Sequence, residues 1–250
     1  GKVMVVRSGL GAGIPGAGVG SAVERCTLAR LAELTGGLGP FATTSLTEDY
    51  EFGLNVGSIG GRDRFLRLRT REGRLIATRA YFPSRIDTAI RQKTRWIHGI
   101  ALQGWDRLGW NGGFLRTWMK LRDRQGPFAA FLLALAYLLV LGSGLIGIAG
   151  WFGLFVPFKA SPLLATMLDI CGIAFVWRAL VRAIFTGREF GWREGLLAVV
   201  RIPVSNCIAI MAGRRALMAY IATLRGAEAQ WDKTEHLDHP ASLMREHGSI

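Results

Sequence analysis

The chain has 250 residues, half of them apolar, with 31 Lys and Arg against 18 Asp and Glu and a mean hydropathy of +0.27. That hydropathy is high for a protein living wholly in water, and the length allows one large domain or two small ones. The net charge of +13 raises nucleic acid or an anionic membrane as partner. No helix-turn-helix, zinc-finger or RNA-recognition pattern appears, and the basic residues crowd around apolar runs, so the positive-inside rule explains the charge better than nucleic acid does. Cys26, Cys171 and Cys207 are too widely spaced to indicate a metal site or a disulfide framework.

Gly1 leads directly into Val3–Val6 with no charged n-region or cleavage site, so the start reads as the interior of a domain. Glycine then alternates with short strand-like runs as far as Gly16-Ala17-Gly18-Val19-Gly20-Ser21. The match to a dinucleotide fingerprint is loose and carries no phosphate lysine. Glycine repeated this way means backbone approaching a ligand or another strand closely, or structural packing alone. Val23–Leu34 reads as an amphipathic helix that stops at Gly36-Gly37.

Thr47 is a natural N-cap, which puts Glu48 and Asp49 in the first turn of a helix running through Phe52, Leu54 and Val56 to Gly60-Gly61. The helix dipole and free amides there are expected to keep Asp49 ionised, as a general base requires. An acidic first turn also serves capping alone. Phe65–Leu68 and Leu75–Thr78 alternate apolar with basic residues around Glu72-Gly73 and read as two short strands joined by a turn.

Ser84 and Asp87 have the Ser-x-x-Asp spacing that opens a helix, with Ser84 as N-cap. Ile86, Ile90 and Ile97 fall on one stripe of it, while Gln92, Arg95 and Trp96 stand at i, i+3 and i+4 on another face. An amide, a guanidinium and an indole suit an anionic diphosphate beside a sugar ring stacked on Trp96. The same spacing fits a surface helix of a basic protein with one half-buried tryptophan.

Arg116, Lys120, Arg122 and Arg124 precede an uncharged run from Phe128 to Phe158, long enough to span a bilayer. Ser143 and Gly147 offer a small-xxx-small contact. Leu163–Phe185 is a second span, with Asp169 inside it and Arg178 and Arg182 near its exit. The basic clusters at 116–124 and 178–193 lie on one side of this hairpin, which makes that side cytoplasmic. Arg201-Ile-Pro203 and Gly213-Arg214-Arg215 interrupt a third apolar stretch, so an in-plane or re-entrant helix is expected near 195–221. The polar tail holds Trp231, Lys233, Thr234 and His236, His239 and His247, which lack metal-ligand spacing.

Thr47-Glu48-Asp49 followed by Gln92-x-x-Arg95-Trp96 resembles the T-E-D and Q-x-x-R-W elements of membrane-bound family 2 glycosyltransferases, the group of cellulose and hyaluronan synthases. The closer resemblance is to bacterial inner-membrane glycosyltransferases of the phage adsorption protein B type, through Gly16–Gly20, Ser45–Trp105 and Trp231-x-Lys233-Thr234-x-His236. The resemblance implies an α/β fold: the C-terminal half of a GT-A catalytic domain over residues 1–115, a membrane region over 116–225 with spans near 128–156 and 163–185, and a cytoplasmic tail over 226–250. It implies Asp49 as the base that deprotonates the acceptor, with Glu48 and Thr47 shaping its turn. Gln92 and Arg95 would hold the donor diphosphate, Trp96 would stack on the acceptor sugar, and Gly18, Val19 and Gly20 would line the acceptor pocket.

The implied activity is inverting hexosyl transfer from a nucleotide-sugar donor to a saccharide acceptor, in cell-surface polysaccharide synthesis at the inner membrane. The partners are then the donor, the acceptor and the lipid bilayer, with room for an outer-membrane or export partner. The family's uridine-binding aspartate and metal-binding D-x-D lie upstream of these motifs, and no D-x-D occurs in the 250 residues. A divalent metal (Mg or Mn) is expected to take its ligands outside this chain, which reads as the C-terminal half of a larger transferase. The alternatives are a non-catalytic membrane receptor or scaffold with a degenerate transferase fold, and transfer to a polyprenyl-phosphate acceptor.

Overall fold

The computed structural model describes residues 2–36, 39–73, 75–78, 83, 85–154 and 160–227. They fall into two compact units, one running to Ala129 and resuming at Met211, the other Ala130–Ile210. The regular structure among the described residues is helical, with a single isolated antiparallel bridge between Arg69 and Leu75.

The first unit contains α1 (Lys2–Leu10), α2 (Arg25–Leu34), α3 (Glu48–Ser58), α4 (Ile86–Ile97), a π-helical segment (His98–Gln103), α5 (Gly104–Leu108) and α6 (Phe114–Arg124). The expected strand-like opening is a helix instead. Residues 2–10 satisfy their backbone groups internally, and the helix is fixed by Arg7 rather than by an apolar face. Arg7 is 1% exposed; its Nε donates to Gly13 O at 2.8 Å and its Nη1 to both Asp123 oxygens at 2.8 and 2.7 Å. Tyr50 Oη donates to the same carboxylate at 2.8 Å, so one buried ion pair ties α1, α3 and α6 together.

The expected hairpin at 65–78 is reduced to the Arg69–Leu75 bridge, with Ile76 N donating to Leu68 O at 3.0 Å and Gly73 N closing the turn on Thr70 O at 3.0 Å. A two-stranded ribbon without further strands or a packed face is marginal in water. The described residues therefore contain no β-strand, and the expected α/β character is not seen in them.

The α2 and α3 helices match their expected positions, α2 with Leu31 buried and Leu34 at its exposed end. Ser84, the expected N-cap of α4, lies outside the described residues; Arg85 occupies the cap position with extended backbone and makes no side-chain cap bond. Asp87 in the first turn pairs with Arg85 at 3.1 Å and Arg91 at 3.6 Å. The isoleucine stripe is only partly covered: Ile86 is exposed, and no residue of α4 is fully buried.

The second unit holds most of α7 (Gly126–Trp151), all of α8 (Pro162–Phe190) and α9 (Trp192–Val200), and the first part of α10 (Ile202–Leu224). With 26 and 29 residues, α7 and α8 are about 39 and 44 Å long, more than a bilayer's apolar core. Their large side chains, such as Phe131, Leu138, Ile173 and Trp177, point outward, as lipid contact requires. Ser161 caps α8 by accepting from Leu164 N at 3.3 Å, with Pro162 in the first turn, where a missing donor is harmless. Gly191, at φ +96°, turns the chain so that α9 folds back on α8. A Cβ on Gly195 would stand 2.7 Å from Ala183 O, so the two backbones touch.

The single helix expected at 195–221 is two helices broken at Arg201, because Pro203 can only start a helix. With 23 residues α10 is, like α7 and α8, long and apolar enough to cross a membrane by length and composition. The tail elements at Trp231–His236, His239 and His247 lie outside the described residues.

Candidate active site

The site builds outward from the start of α3. Thr47 holds the N-cap position, yet its side chain makes no cap bond. Its hydroxyl is buried, without a hydrogen-bond partner among the described residues, and is turned toward Gly99 of the π-helical segment. A Cβ on Gly99 would lie 2.6 Å from both Thr47 Cγ2 and Oγ1, so only glycine leaves room for Thr47 there. The turn is held from behind instead: Thr47 N donates to Ser45 Oγ at 3.2 Å, and Ser45 Oγ donates to Glu51 Oε1 at 2.7 Å.

Glu51 is 3% exposed and is clamped by Arg107 of α5, whose Nε reaches its two oxygens at 2.9 and 3.1 Å. Arg107 Nη1 also donates to Thr44 Oγ1 at 2.8 Å. Gln103 completes the clasp: Leu46 N donates to its Oε1 and its Nε2 donates to Thr44 O, both at 3.0 Å. Residues 44–51 are thereby fastened to the segment that continues from α4. A π-helical stretch widens the helix and re-aims its side chains, and such insertions concentrate at functional positions. Here it brings Gly99 and Gln103 to the turn.

The glycine-rich loop passes over the other side of α3. A Cβ on Gly16 would collide with the Asp49 carbonyl, and one on Gly53 with the backbone of residues 14–16, so loop and helix meet backbone to backbone. Gly18, at φ +72°, sits against the Asp49 carboxylate, where a Cβ would stand 3.1 Å from Oδ2. Val19 and Gly20 follow on the exposed rim, Gly20 beside Thr78. The loop is anchored by Ile14 N donating to Asp63 Oδ2 at 2.6 Å.

Asp49 is half-buried, and Tyr50 N donates to its Oδ1 at 2.8 Å. Burial raises its pKa above the ordinary value, and the neighbouring Glu48 charge adds to the rise; the amide of Tyr50 and the charge of Arg95 pull the other way without cancelling it. This reverses the balance expected from the helix dipole: desolvation wins over the amides. A raised pKa also makes the carboxylate a better proton acceptor.

On α4, Gln92 and Arg95 are half-buried and Trp96 is 38% exposed. Arg95 Nε is buried without a hydrogen-bond partner among the described residues, the second such polar atom at this site after Thr47 Oγ1. Behind them α4 meets the middle of α10, whose Ala212, Gly213 and Ala216 are buried. Thr94 Oγ1 approaches Ala212 O at 3.5 Å, and Tyr220 Oη donates to Asp106 Oδ2 at 2.8 Å. His98, whose pKa burial lowers, sets its ring edge-on to Tyr220 with centroids 6.0 Å apart.

The structure therefore gathers Thr47, Asp49 and Gly18 at one turn, with Arg95 in electrostatic reach. Sequence reasoning missed Glu51, Ser45, Gln103 and Arg107. Only Glu51, two residues after Asp49, carried a local signal. Among the described residues no group of three His, Cys, Asp or Glu side chains is placed to hold a metal, so the residues present do not fit a resident divalent ion. The three cysteines are free and exposed.

Comparison with known proteins agrees with the motifs. Residues 1–222 match the family model described as glycosyl transferase family group 2. The chain is 32% identical over 263 residues to bacteriophage adsorption protein B of Escherichia coli K12, and to the same extent to bacteriophage N4 adsorption protein B of Escherichia coli O157:H7. Each alignment covers 96% of this chain and 35% of the relative, so the chain spans about a third of the length of these proteins. No solved structure matches.

Proposed function

The chain belongs to glycosyl transferase family group 2, and from that premise we propose that it carries the acceptor-activating half of an inverting, membrane-bound glycosyltransferase. In this reading the GT-A catalytic domain is completed by chain beyond the described residues, with donor and acceptor meeting over the start of α3.

Asp49 takes the proton of the acceptor hydroxyl as its oxygen attacks the anomeric carbon of the donor. The new carbon–oxygen bond forms on one face while the bond to the phosphate oxygen breaks on the other, which inverts the centre. The pair of electrons leaves on the diphosphate, whose charge Arg95 and Gln92 stabilise. Trp96 offers an aromatic face to the acceptor sugar, and Gly18, Val19 and Gly20 form the rim beside the base. Glu48 adjusts the charge at Asp49, and Thr47 holds the turn against Gly99.

The observation that carries this reading is the pairing of a desolvated carboxylate with two buried polar atoms that have no partner among the described residues, Thr47 Oγ1 and Arg95 Nε. Buried polar atoms left unbonded in a folded protein call for an explanation, and a polar ligand supplies one. The basic residues at 116–124 and 178–193 support a cytoplasmic face for the site, in a multi-pass protein of the inner membrane. Divalent metals are common in this family, and their ligands would come from outside the described residues.

A nucleotide-sugar screen on the full-length protein in detergent tests the reading. At least one donor should be turned over, and its hydrolysis should be stimulated by a saccharide acceptor more than by a polyprenyl phosphate. Donor binding without turnover across the panel would favour a receptor or scaffold built on a transferase fold.

A further inference from the structure

Helix α6 is inside out. Its inward face is mostly polar, with Met119 its buried apolar side chain: Arg116 Nη1 donates to Gly57 O at 2.9 Å, Lys120 Nζ to Asn111 O at 2.8 Å, and Arg124 Nη2 to Gly104 O at 2.7 Å. Asp123 on the same side receives Arg7 and Tyr50. Its outward face is apolar, with Phe114 81% exposed, Trp118 54%, Leu121 50% and Leu115 41%. Phe114, Trp118 and Leu121 stand at i, i+4 and i+7, one continuous stripe about two turns long. A helix on a water-soluble core has these faces the other way round.

We propose that α6 lies in the plane of the membrane surface, with Phe114, Trp118 and Leu121 bedded in the boundary between headgroups and acyl chains. Continuity with α7 argues for lipid as the occupant. Gln125 alone separates the end of α6 from Gly126, where the helix long and apolar enough to span begins, so α6 stands where the chain enters the bilayer. Tryptophan is enriched at that depth, where its ring is apolar and its N–H stays wet. Arg122, exposed beside the stripe, is placed to meet lipid phosphates. A second protein copy fits poorly: four side chains on an 11-residue helix fall well short of the roughly 800 Å² per partner of a stable interface.

The inward turn of Arg116, Lys120 and Arg124 revises how the basic cluster at 116–124 acts. These charges bind carbonyls of the first unit and hold α6 to it, leaving Arg122 as the one turned to the outside. The helix that fixes Tyr50, next to Asp49, would then also fix the site's height above the membrane. The inference rests on α7 crossing a bilayer, and the experiment includes a position that reports on that separately.

Nitroxide labels are introduced at Trp118→Cys and Leu121→Cys, with Leu139→Cys in α7 and Arg64→Cys on the exposed polar surface as references. Each is made in the full-length protein freed of other reactive cysteines and reconstituted in phosphatidylethanolamine–phosphatidylglycerol vesicles. Relaxation by oxygen, which partitions into lipid, is compared with relaxation by a water-soluble nickel chelate. The proposal expects oxygen to dominate at 118 and 121 as at 139, at a depth of about 5–10 Å, with nickel dominant at 64. Nickel dominance at 118 and 121 while 139 stays in lipid overturns it, and so does shielding from both relaxants, which would mean that protein covers this face. Nickel dominance at 139 overturns the membrane reading of α7, and this inference with it.

Discussion

The side chain of Thr47 occupies the space that a Cβ on Gly99 would fill, 2.6 Å from where that atom would stand. This contact joins the turn that carries Asp49 to the π-helical continuation of α4. Gly99→Ala should therefore displace the turn, destabilising the protein by about 1–3 kcal/mol and lowering transfer at least tenfold. Adding Thr47→Ala removes both clashing atoms and should restore thermal stability. A double variant no more stable than Gly99→Ala alone would mean that the strain falls elsewhere.

Arg107 and Glu51 form a clamp that should be felt in stability before it is felt in chemistry. Arg107→Ala leaves a buried carboxylate with Ser45 as its remaining donor and should lower stability by about 1–3 kcal/mol. The double variant with Glu51→Gln, which no longer buries a charge, should recover part of that loss in a thermal melt. Additive losses would show that the two residues act independently.

The pKa of Asp49 gives a signed prediction. Its folded value is raised by burial, so its contribution to stability is full below the unfolded value and is lost as pH rises through the folded one. At neutral pH the ionised side chain opposes folding, and Asp49→Asn should melt at a higher temperature than the parent. The advantage should shrink at acid pH. A lower melting temperature at neutral pH would mean that the carboxylate is stabilised by its surroundings.

Trp96→Ala should separate the two substrates. Loss of the aromatic face is expected to raise the acceptor KM about tenfold, equal to about 1.4 kcal/mol, with donor hydrolysis little changed. An equal fall in both would assign Trp96 to the donor or to the fold.

Where the order of residues carried its own periodicity, the fold could be read from the sequence. The 3.6-residue spacing of α2 and α3, the long apolar runs of α7 and α8, and the acidic first turn at Glu48-Asp49 are all local patterns. What could not be read depends on partners far along the chain. Arg7 meets Asp123 across 116 residues, and Glu51 meets Arg107 across 56. No spacing rule announces such pairs. The charges of α6 mark a cytoplasmic flank by their sign, but sequence does not give the direction in which they face. The paired strands expected at 65–78 failed for a related reason: an alternating pattern makes a strand only where a neighbour completes it.

The central claim is that Asp49 removes the acceptor proton. The most direct measurement is sugar transfer by Asp49→Asn in the full-length protein, with donor affinity measured on the same preparation. A general base contributes about 10²–10⁴-fold, so turnover should fall by that much while donor affinity stays within a few-fold of the parent. Turnover near the parent level, with the protein folded and the donor bound, would contradict the account.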